Sequence, residues 1–187
     1  MTPPPAELRF ILVRPREPGN IGAVARAIAG MGFESLWLVA PEQFPHPQAS
    51  QRAAEAADVV DRIRVTDSLE DALAGCEFAV ACSARQRHNR WPVFSPPQAC
   101  RRLAEHIGPV ALIFGPEASG LTNSDLELCQ ALTTIPMAPS RHSLNLSHAV
   151  QIYAYEMQRV IASTQAGTGL ERPSAEQLEH LIRSWEN

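Results

Sequence analysis

Two polar loops in the last third of the chain hold residues that could bind a small molecule. Residues 115–121 follow the apolar run 110–114, and their two glycines, five positions apart, would let a ligand approach the backbone closely. Residues 143–147 open the strongest helical pattern of the sequence and present hydroxyl and amide groups at a helix start. Ligands of open α/β sheets lie at the carboxyl ends of strands, so these loops predict a ligand site. A tight turn and ordinary helix capping are the alternative explanations.

The chain lacks the motifs of several large enzyme classes. The loop at 115–121 is neither Gly-x-Gly-x-x-Gly nor a loop ending in Gly-Lys-Ser/Thr, which argues against NAD and ATP. There is no Gly-x-Ser-x-Gly nucleophile motif, and His142 and His148, six positions apart, match no zinc motif. The four cysteines show no Cys-x-x-Cys spacing, so we predict a cytoplasmic protein with reduced cysteines and no metal. No apolar stretch approaches the ~20 residues that span a membrane, and we expect no membrane partner.

Arginine is the basic residue of this chain, which carries a net charge of −4. All 16 basic residues are arginine, a side chain suited to bidentate phosphate contacts. Seven of them lie in or next to loops that follow predicted strands: Arg14, Arg16, Arg26, Arg85, Arg87, Arg90 and Arg141. In a parallel sheet these loops share one edge, so the sequence predicts a local positive patch that binds nucleic acid. The alternative is scattered, solvated charge.

Alternating apolar runs and helical patterns would position these residues. The predicted strands are residues 10–13, 36–39, 62–65, 78–82, 110–114 and 133–136, the third of them an edge strand. The predicted helices are residues 21–30, 49–60, a short one from 68, 95–106, 122–130 and a long one from 146. Two prolines predict that residues 14–20 are not helical. The alternation predicts one α/β domain with a mostly parallel sheet and helices on both faces.

Three segments together resemble the signature motifs of one enzyme family. They read PGNIGAVAR at 18–26, IFGPEASGL at 113–121, and IPM at 135–137 with SLNLS at 143–147. In this order and spacing they resemble the three motifs of the SPOUT-class RNA 2′-O-ribose methyltransferases. Residues 121–123 and 149–156 are similar to the branch that methylates a pyrimidine ribose in the tRNA anticodon loop. The likeness covers about residues 8–160, and all three motifs in register are highly specific.

The resemblance implies a C-terminal trefoil knot, bound S-adenosylmethionine and a homodimer whose protomers jointly build the active site. The family's catalytic positions fall on Asn20, Arg26, Glu117, Ser143 and Asn145. Its cofactor-binding positions fall on Cys82, Ser83, Ala84, Gly115, Glu117, Gly120, Ile135, Met137, His142, Ser143, Leu144 and Asn145. Residues 1–163 would form the methyltransferase domain. Residues 164–187 would form a linker and an amphipathic helix, a tail shorter than is usual in this branch.

The implied chemistry is attack of a ribose 2′-OH on the methyl group of the cofactor. The methyl donor is already activated, so the enzyme mainly aligns the reacting atoms and balances charge. The family assigns the hydroxyl proton to the motif arginine, here Arg26, whereas a free guanidinium with a pKa above ~12 favours a role in phosphate binding. A ribosomal RNA substrate and a catalytically silent RNA-binding module are the other hypotheses. Tritiated methyl transfer to the two RNA classes distinguishes the substrates, and a lack of S-adenosylmethionine binding in calorimetry would identify the silent module.

Overall fold

A sheet of parallel strands forms the centre of the protein in the computed structural model, which describes residues 5–83, 91–138 and 144–166. The strands are β1 Leu8–Val13, β2 Leu36–Val39, β3 Arg64–Thr66, β4 Phe78–Cys82, β5 Val93–Phe94, β6 Val110–Phe114 and β7 Ala131–Thr133. Within the described residues they form one sheet in the order β3-β2-β1-β6-β4-β7-β5, and each neighbouring pair is parallel. The predicted α/β class is confirmed.

Helices cover both faces of this sheet. They are α1 Pro18–Ala29, α2 Pro47–Ala53, α3 Ala57–Asp61, α4 Leu69–Leu73, α5 Pro96–Leu103, α6 Asn123–Glu127 and α7 Leu146–Ala166, with a 3₁₀ turn at Ala54–Ala56. Phe10 and Leu12 pack with residues of α1 and α7, whereas Ile11 and Val13 pack with residues of α4 and α6. Successive side chains of a strand point to opposite faces, so β1 is buried on both and reads as a continuous apolar run.

The position of β6 creates a crevice at the carboxyl edge of the sheet. This strand lies between β1 and β4, with Leu12 opposite Phe114 and Cys82 opposite the same phenylalanine. The chain leaves β1 towards β2, but it leaves β6 towards β7, on the other side of β4. The loops that follow β1 and β6 therefore diverge from adjacent strand ends. Such a switch in direction is where open α/β sheets bind their ligands.

The start of α1 differs from the prediction that residues 14–20 are not helical. The helix begins at Pro18, and Asn20 lies in its first turn. Proline is compatible with the first helical position because the N–H it lacks would have no partner there. Prolines therefore mark the beginning of this helix rather than a longer loop.

Three other predicted elements differ from the structure. Residues 49–60 form two helices joined by a 3₁₀ turn, because Ala54 adopts a left-handed φ of 51° that interrupts the helix. The strand predicted at 133–136 is instead β7, Ala131–Thr133, and the two-residue β5 was not predicted. Helix α7 continues to Ala166, so residues 164–166 are helical rather than a linker. Within the described ranges, none of the helices combines the length and apolarity that crossing a membrane requires.

Candidate functional site

The carboxylate of Glu117 joins the loop after β6 to the loop and helix after β1. Its Oε1 accepts a hydrogen bond of 2.8 Å from Asn20 Nδ2, and its Oε2 accepts one of 3.3 Å from the backbone N–H of Arg16. Asn20 is placed by the first turn of α1, and Glu117 by the buried strand β6 three residues before it. A carboxylate and an amide therefore link the two loops that border the crevice at the switch point.

Asn145 adds the third segment to this cluster. Its Nδ2 donates to Asn20 Oδ1 at 3.1 Å, and its Oδ1 accepts bonds from the backbone N–H and hydroxyl of Ser147 at 2.9 and 2.7 Å. The side chain thus caps the start of α7 while it contacts α1. Segments at 18–26, 113–121 and 144–147 meet through Glu117, Asn20 and Asn145, which we call the carboxylate–amide cluster.

The loop at 115–121 folds back on itself, and this turn requires glycine at positions 115 and 120. A Cβ at Gly115 would lie 2.4 Å from the backbone nitrogen of Leu121, and Gly120 has a left-handed φ of 67°. The Gly120 N–H donates to the carbonyl of Pro116 at 2.9 Å. Only glycine fits either position without strain. Both glycines thus belong to a closed turn that carries Glu117, and their contact with the cofactor stays a prediction.

Arg14, in the loop after β1, pairs with Asp125 of α6 and so joins the chain after β1 to the chain after β6. Its guanidinium donates to both carboxylate oxygens of Asp125, at 3.2 and 2.5 Å, and the Asp125 side chain is 9% exposed. Asp125 also accepts the backbone N–H of Thr122, at the start of α6. Burial alone would raise the pKa of Asp125, but Arg14 and Thr122 hold that pKa below its ordinary value. A structural pairing thus occupies the guanidinium of Arg14, for which we predicted RNA binding.

The pairing of Arg14 could not be read from the sequence. The Thr122-x-x-Asp125 pattern identifies a capping box, which the structure confirms, but it gives no sign that Asp125 pairs with an arginine 111 residues away. Arg16, also predicted to bind RNA, is exposed and donates to Glu42 Oε1 at 2.7 Å. Its backbone rather than its side chain reaches Glu117.

Arg26 lies apart from the carboxylate–amide cluster in the single chain. It is exposed on α1, six residues after Asn20, which corresponds to a rise of ~9 Å and a rotation of ~240°. Its guanidinium makes no hydrogen bond or ion pair with any residue that the structure describes. The face of α1 at Gly22 is covered by α2, because a Cβ there would lie 2.0 Å from the carbonyl oxygen of Ala49.

The predicted cofactor-binding residues on β4 and after β7 gather at one sheet edge. Cys82 lies opposite Thr133, and the Ser83 N–H donates to the carbonyl of Thr133 at 3.0 Å. Ile135, Met137 and Leu144 are half-buried beyond this edge.

Tyr153 of α7 reads in the sequence as one more apolar position of the helix, but in the structure it supports the ends of β4 and β7. It is fully buried, and its hydroxyl contacts Thr133 Oγ1 at 3.1 Å and Cys82 Sγ at 3.5 Å. Burial raises the pKa of the Cys82 thiol to about 11, so this cysteine stays a neutral thiol at physiological pH.

Other predicted site residues lie outside the described ranges: Ala84, Arg85, Arg87, Arg90, Arg141, His142 and Ser143. A cavity of about 250 Å³ lies at the amino end of β1, lined by Glu7, Phe33 and Met157 among others. This cavity is at the opposite end of the sheet from the carboxylate–amide cluster, so it does not belong to the candidate site.

Known proteins share both the sequence and the fold of this chain. A tRNA (cytidine/uridine/adenosine-2′-O-)-methyltransferase TrmJ from Pseudomonas aeruginosa (strain UCBPP-PA14) is 45% identical over 161 residues, covering 84% of this chain and 63% of that protein. The crystal structure of TrmJ from Z. mobilis ZM4 is 39% identical with a TM-score of 0.79, covering 82% of this chain and 69% of that one. A structure concerned with the 2-OH methylation of C/U34 on tRNA is 30% identical with a TM-score of 0.67, covering 84% of this chain and 97% of that one.

These similarities extend over most of the chain described above. The chain spans 63% of the length of the Pseudomonas relative, a little under two thirds. Residues 7–155 match the SpoU rRNA Methylase family, a range that contains all three segments of the carboxylate–amide cluster. This chain therefore belongs to the SpoU rRNA Methylase family.

Proposed function

We propose that this protein transfers a methyl group from S-adenosylmethionine to a ribose 2′-OH of RNA, with a pyrimidine nucleotide in the tRNA anticodon loop as its substrate. The observation that carries the proposal is the carboxylate–amide cluster, in which three segments far apart in sequence meet at the switch point of the sheet. The names of the TrmJ relatives support the tRNA substrate. The family's name supports ribosomal RNA as the second candidate substrate.

The residues at the carboxyl edge of the sheet fit the cofactor. Ile135, Met137 and Leu144 offer half-buried apolar surface, which suits the flat face of an adenine ring. The Glu117 carboxylate accepts hydrogen bonds from two groups, Asn20 Nδ2 and the Arg16 backbone N–H, whereas a carboxylate has about four acceptor positions. It can therefore still accept bonds from an ammonium or hydroxyl group of a ligand. When bound, S-adenosylmethionine would supply a methyl group activated by its positive sulfur.

The side chains of this protein would orient the reacting hydroxyl. Asn20 is bonded at both its amide nitrogen and its oxygen, so it fixes Glu117 and Asn145 relative to each other. With Glu117 as a fixed hydrogen-bond acceptor and Asn145 as a fixed amide next to a bound sugar, the site would align the reacting hydroxyl. Alignment is the main requirement when the methyl group is already activated. Arg26 would bind the phosphate beside the target ribose and orient the 2′-OH.

A homodimer would complete this site. The lone chain leaves Arg26 on a different face of α1 from Asn20, which supports a second protomer that brings its own Arg26 to the cluster. We further propose a C-terminal trefoil knot, in which the segment after β6 threads through a loop and returns α7 to the domain; part of this segment lies outside the described residues. The packing of α7 back onto α1 and α5 supports this path. The four free cysteines and a tRNA substrate support a cytoplasmic location.

Methyl transfer with tritiated S-adenosylmethionine tests the proposal. We expect the full chain to label unfractionated tRNA, and nucleoside analysis to find the label in 2′-O-methylcytidine or 2′-O-methyluridine. Label in ribosomal RNA alone would favour the second substrate. RNA binding without calorimetric binding of S-adenosylmethionine would identify a silent RNA-binding module.

The Arg26→Ala variant tests the role of Arg26. We expect it to keep its affinity for S-adenosylmethionine while methyl transfer falls below detection, because Arg26 would act on the RNA. Undiminished turnover would refute this role.

A further inference from the structure

Most arginines in the described part of the chain have a carboxylate partner. The pairs are Arg9–Glu7, Arg14–Asp125, Arg16–Glu42, Arg62–Asp58, Arg102–Glu105 and Arg159–Glu156. Arg64 lies over the ring of Trp37. Arg26, Arg52 and Arg101 form no such contact with the described residues, and all three are exposed. Arg26 and Arg52 lie on the contacting helices α1 and α2, whereas Arg101 lies on α5, so the first two form a candidate positive patch in a protein of net charge −4.

Arg26 and Arg52 emerge close together where α1 packs on α2, near Gly22. A Cβ at Gly22 would lie 2.9 Å from Arg52 Cβ, and a Cβ at Gly19 would lie 3.7 Å from Arg52 Cγ. The aliphatic stem of Arg52 therefore crosses the glycine face of α1, towards the turn that holds Asn20. Arg26 follows Gly22 by four residues, so it lies on this same face, one helical turn further on.

The side chain of Arg26 also leans in this direction. Side chains of an α-helix tilt towards its amino terminus, so Arg26 tilts towards Gly22. Positions i and i+4 of a helix have Cβ atoms about 6 Å apart. Adding the 2.9 Å between the Gly22 position and Arg52 Cβ places the Cβ atoms of Arg26 and Arg52 within about 9 Å of each other. Two flexible side chains rooted at this distance can reach one phosphate or two neighbouring ones.

Within the described residues, no carboxylate forms an ion pair with Arg26 or Arg52. Glu17 and Glu55, the carboxylates that lie nearby in sequence, are exposed, and neither forms an ion pair with a residue that the structure describes. Guanidinium groups match phosphate geometry through bidentate hydrogen bonds. We propose that Arg52 binds the RNA backbone together with Arg26, as a second phosphate-binding residue beside the target nucleotide. This inference rests on the proposed RNA substrate, and Arg52 was not among the arginines predicted from sequence.

Salt-dependent binding of a fluorescent anticodon stem-loop RNA tests this inference. The variant is Arg52→Gln, which keeps part of the stem that packs on Gly19 and Gly22 but removes the charge. Each lost phosphate contact lowers the slope of log K against log salt by about 0.7–0.9, so we expect a shallower slope of that size. Affinity for S-adenosylmethionine and the melting temperature should stay at wild-type values.

Arg101→Gln is the matched control, since Arg101 is also exposed but lies on α5. We expect its slope to equal that of the wild type. An unchanged slope for Arg52→Gln, or an equal loss in Arg101→Gln, would overturn the inference. If the wild-type chain binds and methylates tRNA while Arg52→Gln keeps its slope, only this inference fails. If the wild-type chain does not bind RNA at all, the proposed function fails with it.

Discussion

Replacing Gly22 by alanine tests how closely the site depends on the contact between α1 and α2. The added Cβ would lie 2.0 Å from the carbonyl oxygen of Ala49, a backbone atom that cannot rotate away. Real Cβ contacts essentially never fall below 3.0 Å, so α2 must move by about 1 Å. This movement would disturb the first turn of α1, which carries Asn20, and the root of Arg52.

Two opposing effects set the expected change in the free energy of unfolding of Gly22→Ala. Overpacking of this kind destabilises a protein by about 1–3 kcal/mol. Alanine is better than glycine inside a helix by up to about 1 kcal/mol, which offsets part of that loss. We therefore expect Gly22→Ala to lower the free energy of unfolding by about 1–2 kcal/mol, with a lower kcat for methyl transfer because Asn20 shifts relative to Glu117.

Gly30→Ala at the end of the same helix is the control. Its φ of −60° is ordinary helical geometry, and the nearest atom to the new Cβ is 3.4 Å away. This variant should gain up to about 1 kcal/mol and keep its kcat. Urea unfolding measures both free energies, and methyl transfer to tRNA measures both rates. Equal stability changes in the two variants would refute the argument, because helix propensity alone would then account for them.

Two further substitutions test the contacts that support the candidate site. Asp125→Asn removes the charged partner of Arg14, and we expect urea unfolding at pH 7 to show a loss of about 1–2 kcal/mol, reduced by the partial exposure of Arg14. Because the pKa of Asp125 is lowered on folding, its stabilisation is present above the ordinary Asp pKa of about 3.9 and is lost as pH falls through the folded value. The difference between variant and wild type should therefore shrink in acid, and a constant difference would contradict the assignment. Tyr153→Phe removes a buried hydroxyl that contacts Thr133 and Cys82, with an expected loss of about 0.5–1.5 kcal/mol by the same method. Unchanged stability would mean that this hydroxyl adds nothing to the strand ends.

Buried strands were the elements that the sequence predicted best. Residues 36–39, 78–82 and 110–114 were predicted with the bounds that the structure has. A strand covered on both faces reads as an unbroken apolar run, which polar loops bound clearly. β5, with only two residues, gives no such pattern. The break at Ala54 was hidden because its residue type favours a helix and tertiary packing imposes the left-handed φ.

Within the candidate site, the motif residues could be predicted from the sequence, but the contacts between distant elements could not. Motif resemblance identified Asn20, Glu117 and Asn145, and the structure brings them into contact. The insertion of β6 between β1 and β4, which makes this contact possible, has no local signal in the sequence. The partners of Arg14 and Tyr153 were missed for this reason, since each contact joins elements that lie far apart along the chain.

The spacing of the carboxylate–amide cluster has a consequence for protein synthesis. Asn20 is separated by 97 residues from Glu117 and by 125 residues from Asn145. A nascent chain on the ribosome cannot assemble the cluster until Asn145 has left the exit tunnel, and contacts this distant in sequence form late in folding. Translation products that stop before Asn145 therefore cannot form the carboxylate–amide cluster, and they lack the site that we propose for methyl transfer.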